Sequence, residues 1–125
     1  MPRLLLVEDN ELNRDALGRL LERRGFTMLQ ASDGPTALAL AEQERPDLIL
    51  LDIGLPGMDG HAVAQELRRR PGTRAVPIIA LTAHATASDR KSALEAGCDD
   101  FEVKPVALAQ LLPRIEALLA RGNQP

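Results

Sequence analysis

The apolar positions of this chain follow two rhythms. Short unbroken aliphatic runs, clearest in Leu4-Leu5-Leu6-Val7, Leu48-Ile49-Leu50-Leu51 and Ile78-Ile79-Ala80-Leu81, alternate with longer stretches in which apolar residues recur every three or four positions. Runs of that length read as strands buried on both faces, and the wider spacing reads as one side of a helix. The pattern predicts strands at 3–7, 26–31, 47–51, 76–81 and 99–103, and helices near 11–24, 34–44, 60–69, 87–96 and 107–120. The last helix is the plainest, with Leu108, Leu111, Leu112, Ile115, Leu118 and Leu119 at helical spacing. In the first, Leu12, Ala16, Leu17, Leu20 and Leu21 recur and Gly25 follows as a stop. Pro35, Pro56, Pro71, Pro77 and Pro105 fall near predicted boundaries.

Strand alternating with helix predicts an α/β fold, a five-stranded parallel sheet with helices on both faces. The nearly all-aliphatic strands 3–7, 47–51 and 76–81 belong in its centre. Strand 26–31 carries Thr27 and Gln30, strand 99–103 carries Asp99, Asp100 and Glu102, and both read as edges. Right-handed crossovers then favour the order 2-1-3-4-5, the flavodoxin-like arrangement. Its topological switch lies between strands one and three, and ligands of such sheets bind in that crevice, beyond the carboxyl ends of the strands. One domain spans 1–125, with a core of about 3–120 and a frayed tail at 121–125.

Two of the central strands run directly into acids at that crevice. Strand one ends in Glu8-Asp9, and strand three is followed by Asp52 and the loop Ile53-Gly54-Leu55-Pro56-Gly57-Met58-Asp59-Gly60. A carboxylate at the end of a buried strand needs a partner, because an isolated buried charge is very costly. The same rim receives one hydroxyl, from Thr82 after strand four, and one ammonium, from Lys104 after strand five. Three carboxylates, a hydroxyl and a lysine form a hard-oxygen site suited to Mg²⁺. A carboxylate beside a divalent ion and a lysine is a credible phosphoryl acceptor. Alone, Asp52 reads equally well as a turn or capping residue, and Glu8-Asp9 as an acid pair at a helix N-terminus. The convergence of five polar groups favours the site. The run Arg68-Arg69-Arg70 reads as a solvated helix end, and Cys98 as a small buried apolar residue.

Composition narrows the field. Lys and Arg total 15 against 18 Asp and Glu, a net charge of −3, which leaves no electrostatic footprint for nucleic acid or an anionic membrane. The single cysteine rules out an internal disulfide and fits a reducing compartment, here the cytoplasm. No signal peptide is visible and no apolar stretch approaches the roughly 18 residues of a membrane span.

Five segments in order carry a family resemblance. Val7-Glu8-Asp9-Asn10 with Asn13-Arg14, Pro46 to Asp52, Leu55 to Gly60, Pro77 to Ala83, and Ala96 to Phe101 followed by Lys104-Pro105 resemble a response-regulator receiver domain of two-component signalling. The resemblance implies that Asp52 accepts a phosphoryl group from a phosphohistidine on a histidine kinase or histidine phosphotransfer protein. It implies Mg²⁺ held by Asp9, Asp52 and the Gly54 carbonyl, with Glu8 acting mostly through water. It assigns the phosphoryl oxygens to Thr82 and Lys104, and implies a cis peptide before Pro105. Phe101 takes the place of a switch aromatic that turns inward behind the threonine. It stands where Tyr is commoner, so no phenolic hydroxyl is available. The readout surface for a downstream protein target is then helix four, strand five and helix five. Helix four has Leu94 as its only large aliphatic residue, which predicts a weakly held element. Gly54 and His84 occupy the positions that tune phosphate lifetime in the family.

Two other functions compete. A phosphatase of the haloacid-dehalogenase type uses a similar Asp, Thr, Lys and Mg²⁺ set, but needs a second Asp two residues after the first, where this chain has Gly54. A phosphorylation-independent scaffold has no need of five polar groups at one rim. A Rossmann nucleotide site is disfavoured because no Gly-x-Gly-x-x-Gly follows strand one. The chain runs from just before strand one to just after the last helix, which suggests a stand-alone regulator. The Glu8-Asp9-Asn10…Asn13-Arg14 style equally suits the receiver of a hybrid kinase.

Overall fold

A computed structural model describes residues 2–55, 57–83 and 86–122. Ten elements alternate: β1 (Arg3–Val7), α1 (Glu11–Glu22), β2 (Thr27–Ala31), α2 (Gly34–Glu44), β3 (Leu48–Asp52), α3 (Gly60–Arg69), β4 (Ile78–Thr82), α4 (Ala87–Glu95), β5 (Asp100–Val103) and α5 (Leu108–Gly122). The strands form one parallel sheet in the order β2-β1-β3-β4-β5, as the aliphatic content of the runs predicts.

Strand periodicity sorts the core into two layers. Leu5, Val7, Ile49, Leu51, Ile78 and Ala80 pack with Ala37, Leu38, Ala41, Val63, Ala64, Leu67 and Ala93 of α2, α3 and α4. Leu4, Leu6, Leu48, Leu50, Ile79 and Leu81 pack with Leu21 of α1 and Leu111, Ile115 and Leu118 of α5. Both faces are therefore covered, which is why the three central strands read as unbroken apolar runs.

Polar side chains start the helices. Asn10, Asp33, Asp59 and Thr86 each accept a hydrogen bond from the backbone N–H three residues on, capping α1, α2, α3 and α4. The cap of α1 is thus Asn10, and Glu8 and Asp9 remain available at the rim.

The structure shifts several predicted boundaries. β3 and β4 each end one residue later than the aliphatic pattern suggests, at Asp52 and Thr82, which sit in the ladder opposite Leu81 and Val103. β4 starts at Ile78 because Pro77 has no N–H to give, although its carbonyl accepts from Ile49 N. α1 stops at Glu22, where Arg24 N and Gly25 N turn back to Leu21 and Glu22, and Gly25 takes φ +97°. α5 runs on through Arg121 and Gly122, which the sequence assigns to the frayed tail; 123–125 lie outside the described residues. The α1 stripe is only partly buried: Leu21 is covered, whereas Leu12 is 81 % and Leu20 41 % exposed.

Arg68 corrects the reading of its arginine run as solvated. It donates to the carbonyls of Gly97, Arg74 and Val76 and pairs with Asp99 at 2.8 Å, so it ties the end of α3 to the start of β4 and the end of α4. Arg70 bridges Glu66 and Glu42, and Arg69 alone of the three is mostly exposed.

Candidate phosphoacceptor and metal site

Ladder hydrogen bonds that continue one residue past the strands set the rim. Glu8 N donates to Ala31 O at 3.0 Å, Ile53 N to Leu81 O at 2.9 Å, and Lys104 N to Thr82 O at 2.7 Å. Each functional side chain therefore leaves from backbone already fixed by its neighbour. Gly60 permits the close approach of α3 to this rim, since a Cβ there would lie 2.5 Å from both the Asp52 carbonyl oxygen and the Ile53 Cα. The Lys104–Pro105 peptide is cis, in agreement with the expectation for that pair.

Lys104 Nζ lies 2.9 Å from Asp52 Oδ2 and 3.0 Å from Glu8 Oε1. The sequence leaves open whether this lysine meets Asp52 or an incoming anion; it bridges two acids. The other Asp52 oxygen, Oδ1, accepts from Gly54 N at 2.9 Å, so both oxygens of the carboxylate are oriented. Glu8 and Asp52 are buried, Asp9 is exposed, and one oxygen from each of the three can gather within 4.8 Å. Thr82 is buried at the same rim. Phe101 is buried in the layer beneath α4. His84 falls outside the described residues.

The electrostatics follow from this geometry. Burial, reinforced by the adjacent Asp52, pushes Glu8 up to about 7 against the pull of Lys104. Burial also works against ionised Asp52, but the adjoining Glu8, the Lys104 ammonium and the Gly54 N–H outweigh it and hold Asp52 below the usual carboxylate range. Lys104 is likewise opposed by burial, and its two carboxylate partners raise it nonetheless. The cluster therefore favours an ionised Asp52 beside an ammonium and disfavours a second negative charge on Glu8.

The donor set fits a hard divalent cation. Glu8 Oε2 is buried and has no hydrogen-bond partner among the described residues, a costly condition that a cation or its water shell would relieve. Glu8, Asp9 and Asp52 supply only oxygens, as Mg²⁺ prefers.

The sequence matches the family model for the response regulator receiver domain over residues 4–116. The chain belongs to the response-regulator receiver family. This receiver is 45 % identical to the transcriptional regulatory protein AfsQ1 of Streptomyces coelicolor over 99 % of its own length and 54 % of that protein. It spans about half the length of the first curated relatives it matches. Among solved structures, it resembles the receiver domain of the sensor histidine kinase PA1611 from Pseudomonas aeruginosa, solved with a magnesium ion in the active-site cleft (38 % identity, TM-score 0.88, 95 % of this chain and 98 % of that one). It also resembles a response regulator from Chloroflexus aurantiacus (32 % identity, TM-score 0.91, 95 % and 98 % coverage). The receiver fold and family therefore stand as the sequence predicts, and the acidic cluster supplies the oxygen donors that a divalent cation would use.

Sequence reasoning missed two features around this receiver's site. Arg14 Nη1 donates to the Glu8 carbonyl at 2.9 Å, bracing the acidic turn from α1. The Arg90 guanidinium covers the Phe101 ring, 4.5 Å from its centroid. The first involves Arg14 of the Asn13-Arg14 pair and carries no spacing signal; the second joins residues that only the fold brings together.

Proposed function

We propose that Asp52 is the phosphoacceptor, taking a phosphoryl group from a phosphohistidine on a histidine kinase or histidine phosphotransfer protein. The observation that carries this reading is the Lys104 ammonium within 3.0 Å of both Asp52 and Glu8, beside an oxygen-only acidic cluster. A carboxylate oxygen of Asp52 attacks phosphorus, the P–N bond to the donor imidazole breaks, and an aspartyl phosphate forms. Asp9, Asp52 and the Gly54 carbonyl would hold Mg²⁺, with Glu8 contributing through water; when bound, the cation neutralises charge on the phosphoryl oxygens. Lys104 exchanges its contact with Asp52 for a phosphoryl oxygen, and the Thr82 hydroxyl donates to another.

The response is a shift of Thr82 and Phe101 that alters the α4–β5–α5 surface offered to a protein target. In support, α4 buries only Ala93 of its own residues, and Leu94 is 48 % exposed, so little apolar packing holds the helix. Gly54 leaves the acceptor open, since a Cβ there would touch only Asp52 Oδ1, at an ordinary 3.6 Å. Phosphate lifetime is set partly at Gly54 and partly at His84. Among the described residues no helix is long and apolar enough to cross a membrane. The receiver acts in the cytoplasm through protein contacts and without substrate turnover.

Incubation with acetyl phosphate and Mg²⁺ is expected to add the mass of one phosphoryl group to the native chain and none to Asp52→Asn. Equal addition to both, or none to either, would reject the assignment. Sustained hydrolysis of p-nitrophenyl phosphate would point instead to a phosphatase.

A further inference from the structure

Named contacts hold both ends of α4. At its C-terminal end Arg68 donates to the Gly97 carbonyl at 2.9 Å, and Asp99 accepts from both Arg68 and Ile78 N at 2.8 Å. Gly97 sits at φ +112°, and a Cβ there would press on Arg68 Cγ at 2.7 Å, so this junction is tightly built. Towards the N-terminal end, Thr86 caps the helix from an exposed position and Arg90 lies over Phe101.

Phe101 is only 7 % exposed. It pairs with Ala80 in the sheet, two residues before Thr82, and strand alternation puts Ala80 and Thr82 on one face. Phenylalanine has no hydroxyl with which to fix its orientation, so its outer face is fixed by whatever packs on it. Here that group is a cation over the electron-rich face of the ring, an attractive geometry.

We infer that Arg90 is a positioning residue of the switch: its guanidinium caps Phe101 in the buried orientation behind Thr82 and so favours the conformation that binds a phosphoryl group at Asp52. This deepens the function proposed above and rests on it. By linkage, a contact that stabilises the buried ring raises phosphoryl affinity, and a bound phosphoryl group strengthens the contact.

Beryllofluoride with Mg²⁺ serves as the phosphoryl probe. The chain has two phenylalanines and no tyrosine or tryptophan, so fluorophenylalanine labelling gives two resonances, from Phe26 and Phe101. In the native protein the Arg90 side-chain protons should show ring-current shifts, and the Phe101 resonance should respond to beryllofluoride. Arg90→Ala should abolish those shifts and weaken beryllofluoride binding about two- to five-fold, the range of an exposed cation–ring contact. Arg90→Lys should recover part of the affinity, and Lys91→Ala, whose partner is Glu95, should leave it unchanged. Denaturation with and without the probe separates coupling from mere stability: Arg90→Ala should cost more in the bound form than in the free form. Native protein that binds the probe alongside an Arg90→Ala variant of equal affinity would overturn the inference while leaving Asp52 as acceptor. Failure of the native protein to bind would overturn both.

Discussion

Glu8 keeps a proton near neutrality because burial and the neighbouring Asp52 disfavour a second negative charge. The folded chain therefore binds a proton that the unfolded chain, with Glu8 near its ordinary 4.5, has released. In divalent-free buffer this lowers stability as pH rises from about 4.5 through about 7, by an amount of order 3 kcal/mol. Asp52 works in the opposite sense. Its depressed value contributes stability that is complete above its ordinary 3.8 and is lost as pH falls through the folded value. Glu8→Gln is expected to flatten the upper part of the profile, as read from urea midpoints between about pH 5 and pH 8. Cation binding competes for the same carboxylate. Calorimetry in buffers of different ionisation enthalpy should show proton release on Mg²⁺ binding near pH 6.5, and the Glu8→Gln variant should show almost none.

At the scale of elements, α5 contains a residue that sequence rules place elsewhere. Pro113 lies inside this helix, past its first turn, and lacks the N–H that would reach the Ala109 carbonyl. It is tolerated because it is exposed, so water can satisfy that carbonyl, while Leu111, Ile115 and Leu118 hold the opposite face in the core. Pro113→Ala should raise stability by about 1–3 kcal/mol, seen as a higher urea midpoint with an unchanged slope. Boundary errors elsewhere have equally local causes. Asp52 and Thr82 look like loop residues because polarity marks the end of an apolar run, yet their backbones remain in the ladder. The role of Arg68 was illegible because three of its four acceptors are carbonyls, which every residue carries and no side-chain pattern reveals. The fold itself was legible, since sheets buried on both faces and helices buried on one leave different rhythms in the chain.

Across the whole molecule, the acidic rim was legible for the same reason: acids cost too much at buried strand ends to occur there idly, and Glu8, Asp52 and Lys104 meet as their placement implies. Arg90 over Phe101 was not, because stacking leaves no mark in spacing or composition. Cys98 offers a check on the integrity of the fold. It is buried, and burial pushes its thiol up to about 12, so it should resist iodoacetamide at about pH 8 until the domain unfolds. Rapid alkylation of the native protein would show that the α4–β5 junction opens locally. The bond from Lys104 to Glu8 spans 96 positions, almost the full length of the sheet-forming chain. During synthesis Asp52 therefore leaves the ribosome long before the lysine that pairs with it, and β5 is the last strand to arrive. A nascent or truncated copy that stops short of β5 therefore leaves the two buried acids, Glu8 and Asp52, without the ammonium that pairs with them.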